Sequence, residues 1–185
     1  MAGQPKTEVK KASKEAIELE RRSDEFTIKL SIVVGKKPAA VKCGFSLVDA
    51  FLNGINYFFV GLKVPKNNAK DPIIVKNMGF AFGEAIRRLW DKRRGKVNGI
   101  SIHSEGEAMC MFAINAKRQP GEANVQLMGA PERGLNPDTL FFFFEGFAEG
   151  MQAQVNVTVN LTREKSQIKL ISQTLGDSLK QILRI

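Results

Sequence analysis

The residues best equipped for chemistry crowd into one stretch, residues 63–96. Arg87, Arg88, Lys92, Arg93, Arg94 and Lys96 surround Trp90, the chain's only tryptophan, and Lys63, Lys66 and Lys70 precede them. Guanidinium and ammonium groups neutralise phosphates, and an indole offers a flat face for a base or a guanidinium. On a helix at about 100° per residue, Arg87, Asp91 and Arg94 share the side opposite the apolar stripe, and Trp90 borders it. This combination is expected to contact RNA or single-stranded DNA. The competing reading puts Trp90 in the core and leaves the charges as a solvated helix end, where the helix dipole favours cations.

Other chemistries find less support. No G-x-x-x-x-G-K-[ST] pattern occurs. Gly79 and Gly83 stand inside a helical pattern, where a glycine costs about 1 kcal/mol, so a second backbone is expected to approach them closely. Cys43, Cys110 and His103 are the only cysteines and histidine, too few and too scattered for a structural zinc site. Both thiols read as inert, and His103 as an exposed residue on the polar side of an edge-like strand. Glu145 and Glu149, four apart beside Phe147, could flank a pocket for acid–base work. No catalytic residue, metal or cofactor is assigned.

The charge is unevenly distributed. The chain carries a net charge of +9, which points to a polyanionic partner. Residues 63–96 hold ten basic groups against three acidic ones, and residues 97–150 hold three basic against seven acidic. Oppositely charged blocks would also suit a homo-oligomer mated head to tail.

The elements that must position these residues follow from periodicity. Asp71-Pro72 opens a helix, Ile74, Met78, Ala81, Phe82, Ala85 and Leu89 form its apolar face, and Gly95 is the expected stop. Phe26 to Val34 and Val155 to Leu161 alternate as half-buried strands, and Tyr57 to Val64 is another. Ser46 and Asp49 suggest a capped short helix closed by Gly54. Residues 100–114 form a hairpin around Glu105-Gly106-Glu107, and a short strand follows near Val125 and Leu127. Residues 138–149 are ambiguous: Asn136-Pro137 is a helix entry, while the run of four phenylalanines favours a strand. An amphipathic helix using Leu175, Leu179, Ile182 and Leu183, starting as early as Ser166, ends the chain.

Residues 1–23 read as a polar arm or solvated helix and 24–185 as a single domain without internal repeat. The expected fold is α+β: a mainly antiparallel sheet of six or seven short strands, a central helix and helical termini. A β-sandwich of jelly-roll type with inserted helices is the alternative. No signal peptide or membrane span is read, so the expected location is intracellular, cytoplasmic by default. The glycosylation patterns at Asn156 and Asn160 then read as accidents of a Thr-rich strand. The leading expectation is a non-enzymatic RNA- or single-stranded-DNA-binding protein, of the kind of a nucleoprotein or coat-like subunit that assembles on nucleic acid. The second is an assembly protein mated through opposite charges, and the third is an enzyme with a carboxylate pocket.

Overall fold

The computed structural model describes residues 4–35, 41–117, 120–131, 135–161 and 167–185. Four strands, β1 (Lys6–Ala12), β2 (Ala16–Arg22), β3 (Phe26–Val34) and β4 (Phe58–Asn67), pair antiparallel in that order. Helix α1 (Ser46–Gly54) precedes β4, and α2 (Asp71–Arg93) follows it. The second sheet contains β5 (Asn98–Glu105), β6 (Ala108–Asn115), β7 (Glu122–Gly129) and β8 (Gln154–Leu161), in the order β5-β6-β8-β7. Helix α3 (Pro137–Met151) carries the chain from β7 to β8, which run parallel and therefore need a crossover of this length. Helix α4 (Gln167–Leu183) is the last element.

Alternation decides which face of each sheet is covered. Phe26, Ile28, Leu30 and Ile32 of β3 are buried, as are Val155, Val157 and Val159 of β8. Helix α2 packs on the first sheet, α3 and α4 pack on the second, and the helices pack on one another between them. The fold is thus α+β, with two mainly antiparallel four-stranded sheets and four helices.

The α2–α3 contact explains the glycines. A Cβ on Gly79 would lie 2.0 Å from the Phe143 carbonyl oxygen, and one on Gly83 2.1 Å from that of Phe147. Gly146 and Gly150 of α3 meet the carbonyls of Lys76 and Phe80 just as closely, at 1.9 and 2.1 Å. The two backbones touch, as expected for Gly79 and Gly83, and no side chain fits between them. Around this contact Phe51 meets Phe143 and Phe144 edge-on, with ring centroids 5.3 and 5.5 Å apart, and Phe112 meets Phe144 at 5.2 Å.

Several expectations change. Residues 6–22 are no arm or helix but the β1–β2 hairpin, because Ile17 and Leu19 face the core while Glu18 and Arg22 face out. That hairpin raises the strand number to eight. The jelly-roll alternative does not hold, since helices separate the two sheets. The phenylalanine run is helical. Asn136 Oδ1 accepts from the Asp138 amide at 2.9 Å, Pro137 sits in the first turn, and burial of Phe143, Phe144 and Phe147 overrides strand propensity. Ser46 does not cap α1: Phe45 holds the cap position, and Asp49 Oδ1 accepts from the Cys43 amide at 2.7 Å. Helix α2 ends in left-handed Arg94 rather than at Gly95. A repeat invisible in the sequence appears in the topology: β2-β3-α1-β4-α2 is followed by β5-β6-β7-α3-β8-α4, in which β7 is an added edge strand and β5-β6-β8 keep the adjacency of β2-β3-β4. The turn expected at Gly35 to Pro38 falls mostly outside the described residues, as does a helix start at Ser166.

Candidate functional site

The basic residues that dominate the sequence do not meet. Helix α2 has 23 residues, which at about 1.5 Å each puts its ends over 30 Å apart. Lys70 stands at one end and Lys92, Arg93 and Arg94 at the other. Lys63 and Lys66 lie on β4, paired with β3.

Most of the guanidinium groups are committed within the fold. Arg87 is 7% exposed. It donates to the Met151 carbonyl at 3.3 Å, to Gln152 Oε1 at 3.0 Å and to Asp91 Oδ2 at 3.4 Å. Arg88 donates to Glu84 at 2.7 Å. Arg93 ties the chain's ends together through the carbonyls of Leu183 (2.7 Å), Lys14 (2.9 Å) and Arg184 (3.3 Å). Trp90 is half-buried, packed on the core, with its Nε1–H donating to the Lys96 carbonyl at 2.7 Å. Lys66 bonds the Asp24 carbonyl. Lys63, Lys70, Lys92, Arg94 and Lys96 have exposed side chains, the last three together at the end of α2 and Lys63 and Lys70 away from them. The indole N–H is thus committed within the fold, and Arg87, Arg88 and Arg93 serve as structural ties.

Glu145 and Glu149 do face one point, but a cation occupies it: Lys76 Nζ lies 3.2 and 2.9 Å from them. Burial works against the Lys76 charge, and its two carboxylate partners outweigh that effect, so its pKa is raised. The thiols are inert as expected. Burial, joined at Cys43 by its bond to Asp49, pushes Cys43 and Cys110 up to about 12.

A different group of residues converges along the free edge of β5. A groove of about 750 Å³ is lined by Lys96, Ile100, Ser101, Ile102, Asp177, Lys180, Gln181, Arg184 and Ile185. Its floor is rigid. Gln181 donates to the Ile100 carbonyl at 2.7 Å and accepts from the Ile100 amide at 3.1 Å, so a side-chain amide takes the place of a neighbouring strand. Ser101 Oγ bonds the Thr174 carbonyl and lies 2.9 Å from Ser178 Oγ. The Lys96 amide donates to the Ile182 carbonyl at 2.8 Å.

Two features give the groove chemical capacity. Among the described residues that line it, Lys96, Lys180 and Arg184 are cationic side chains and Asp177 is the one acidic side chain. Lys180 Nζ sits 4.4 Å from the centroid of the Tyr57 ring, which holds it in place. Asp177 Oδ2 in turn lies 2.6 Å from His103 Nε2, their side chains 27% and 35% exposed. This is a carboxylate–imidazole pair beside an anion-binding surface, an arrangement able to hold a small anion and move a proton. His103 was expected to be exposed on the polar side of its strand. It instead shares the inner side with Gly99 and Ser101 and reaches α4. Asp177, Lys180 and Arg184 stand at i, i+3 and i+7, spacing that places them along one side of a helix. That signal is present in the sequence, but the larger charge block further upstream hides it.

Among the described residues, no group of three His, Cys, Asp or Glu side chains is placed to hold a metal ion. No helix of the described residues is long and apolar enough to cross a membrane.

No protein-family description matches the chain, and no curated relative matches it. Solved structures do. An imidazoleglycerol-phosphate dehydratase from Pyrococcus furiosus superimposes with a TM-score of 0.67 at 18% identity, covering 89% of this chain and 92% of the other. The imidazoleglycerol-phosphate dehydratase of Staphylococcus aureus subsp. aureus N315 gives a TM-score of 0.69 at 11% identity, covering 90% and 97%. Likeness at this level of identity establishes a shared fold. The chains that share it are named as enzymes, and this overturns the expectation of a non-enzymatic protein with RNA or single-stranded DNA as its partner. The expectation of an assembly protein without catalytic function is corrected on the same finding. The dispersal and internal bonding of the basic residues supply the physical reason.

Proposed function

We propose that the protein is an enzyme that moves a proton on a small phosphorylated substrate held in the groove between β5 and α4. The observation that carries this reading is the pairing of the only histidine with Asp177 on a surface supplied with Lys96, Lys180 and Arg184. The cations take the anionic group. Asp177 lines the groove and exchanges the proton, and His103, which touches Asp177 rather than the groove, positions it.

The fold partners are named for a dehydration, and that class of reaction suits these residues. A base removes a proton from one carbon, and the C–H electron pair becomes a double bond. The hydroxyl on the neighbouring carbon departs as water, taking the proton that the base has just removed from carbon. Asp177 supplies the base, and its bond to His103 orients it.

The test is binding and turnover of imidazoleglycerol phosphate. The reading predicts saturable binding that Lys180→Ala combined with Arg184→Ala weakens about tenfold or more. It predicts turnover that Asp177→Asn lowers on the order of a hundredfold. His103→Gln should lower kcat about tenfold and leave KM and binding unchanged, as expected of a group that positions Asp177. Absence of binding, or binding indifferent to the paired cation variant, contradicts the reading.

A further inference from the structure

The outer face of the first sheet sets two like charges side by side. Lys29 of β3 and Lys63 of β4 stand directly opposite in register, both exposed. Such a pair destabilises a sheet unless a counter-charge answers it. The other like pair on this face is answered: Glu8 and Glu20, also opposite, are bonded to Lys10 and Arg22. Among the described residues, Lys29 and Lys63 have no hydrogen bond or ion pair, and Glu20, which faces Lys29 from β2, is taken by Arg22.

Beside the two lysines the face is hollow. The next outward row is Glu18, Ser31 and Gly61, and the last two are too small to fill it. The space measures about 400 Å³, and Lys29, Lys63, Ser31, Gly61 and Glu18 are in its lining. A Cβ on Gly61 would lie 2.5 Å from Ser31 Oγ and 3.6 Å from the Phe59 ring. A glycine inside a strand weakens it and often marks a place where a ligand comes close. The row beyond holds Val33 and Phe59, both half-buried. It lies about 13 Å from the lysine row along the strands, which leaves room for a ring between them. Three kinds of surface therefore surround the hollow: two ammonium groups on one side, an aromatic ring on the other, and the Glu18 carboxylate at the β2 end. A plain anion on the lysines would be repelled by Glu18, whereas a zwitterion meets attraction at both ends. We infer that the hollow binds an α-amino acid with an apolar side chain, its carboxylate on Lys29 and Lys63, its ammonium toward Glu18 and its side chain against Phe59. Ser31 Oγ, on the floor, is placed to donate to the carboxylate. The site shares no residue with the groove between β5 and α4 and does not depend on the reaction proposed there.

Calorimetric titration of the full chain with L-phenylalanine tests this. Exposed ion pairs are weak, so saturable binding with a Kd of about 1 mM is expected. N-acetyl-L-phenylalanine lacks the ammonium and L-phenylalaninamide lacks the carboxylate, and each should bind about tenfold or more weakly. Lys29→Ala combined with Lys63→Ala should carry a similar loss. Ser31→Leu, which fills the hollow without changing its charge, should abolish binding. An equal concentration of inorganic phosphate should not compete, which sets this site apart from the groove. A parent that shows no saturation up to about 20 mM overturns the inference. Equal binding of the N-acetyl compound overturns it as well, since a peptide C-terminus would then serve as well as a free amino acid. So does binding that survives the lysine pair, or that phosphate displaces. Should a variant fail to fold, the two analogues decide on the unaltered protein.

Discussion

Arg93 and Arg94 are neighbours in one basic run, yet they have opposite fates. Arg93 donates to three backbone carbonyls from two distant segments, whereas Arg94 points to solvent from a left-handed backbone with φ of 52°. Arg93→Ala should cost about 2 kcal/mol in denaturant unfolding, since a charged donor is lost from several acceptors. Arg94→Gly should gain up to about 1 kcal/mol, because glycine adopts that conformation without strain. A gain for both would mean the clamp is absent. Cys110 offers a second check. Burial pushes its thiol up to about 12 from an ordinary 9.0, so the unfolded chain loses its proton first. Stability is then complete below pH 9 and falls between pH 9 and 12 by up to about 1.4 kcal/mol per unit for this thiol. Cys110→Ala should flatten that part of the pH–stability curve, and an unchanged slope would contradict the assignment. At this scale little of the site was legible. Charge type and position were plain in the sequence, but whether an arginine meets water or a carbonyl depends on partners as far away as Lys14 and Leu183.

Elements were more legible than residues, because periodicity survives without tertiary information. Strands β3, β4, β5, β6 and β8 and helices α1, α2 and α4 follow from alternation or helical spacing. Strands β1 and β2 did not emerge, since charge pairs such as Glu18 and Arg22 suit a helix as well as an outer sheet face. The phenylalanine run of α3 resisted because propensity and capping disagreed, and burial on three sides decided. The inference from Gly79 and Gly83 to a close backbone succeeded because the cost of glycine in a helix demands compensation. It carries a prediction. Gly79→Ala or Gly146→Ala puts a methyl group against a carbonyl of the opposite helix, at 2.0 and 1.9 Å, and should destabilise by about 3 kcal/mol in thermal or denaturant unfolding. A loss below about 1 kcal/mol would mean that α2 and α3 separate easily.

At the scale of the whole molecule, two sheets enclose four helices and leave two features exposed: a cationic groove at the free edge of β5 and a hollow over Ser31 and Gly61 on the outer face of the first sheet. Neither could be read directly from the chain, because each gathers residues from alternating positions of several elements. Net charge misled for a related reason, as it counts cations bonded inside the fold together with those free to bind a ligand. Small anions are proposed to bind where Lys180 and Arg184 meet Asp177, while Arg87, Arg88 and Arg93 of α2 are tied into the fold. Calorimetric titration with inorganic phosphate of the parent, of Lys180→Ala combined with Arg184→Ala, and of Arg88→Ala combined with Arg94→Ala tests this most directly. The predicted result is saturable binding by the parent and by the α2 variant, with a loss of about tenfold or more in the groove variant. Binding lost in the α2 variant and kept in the groove variant would contradict it.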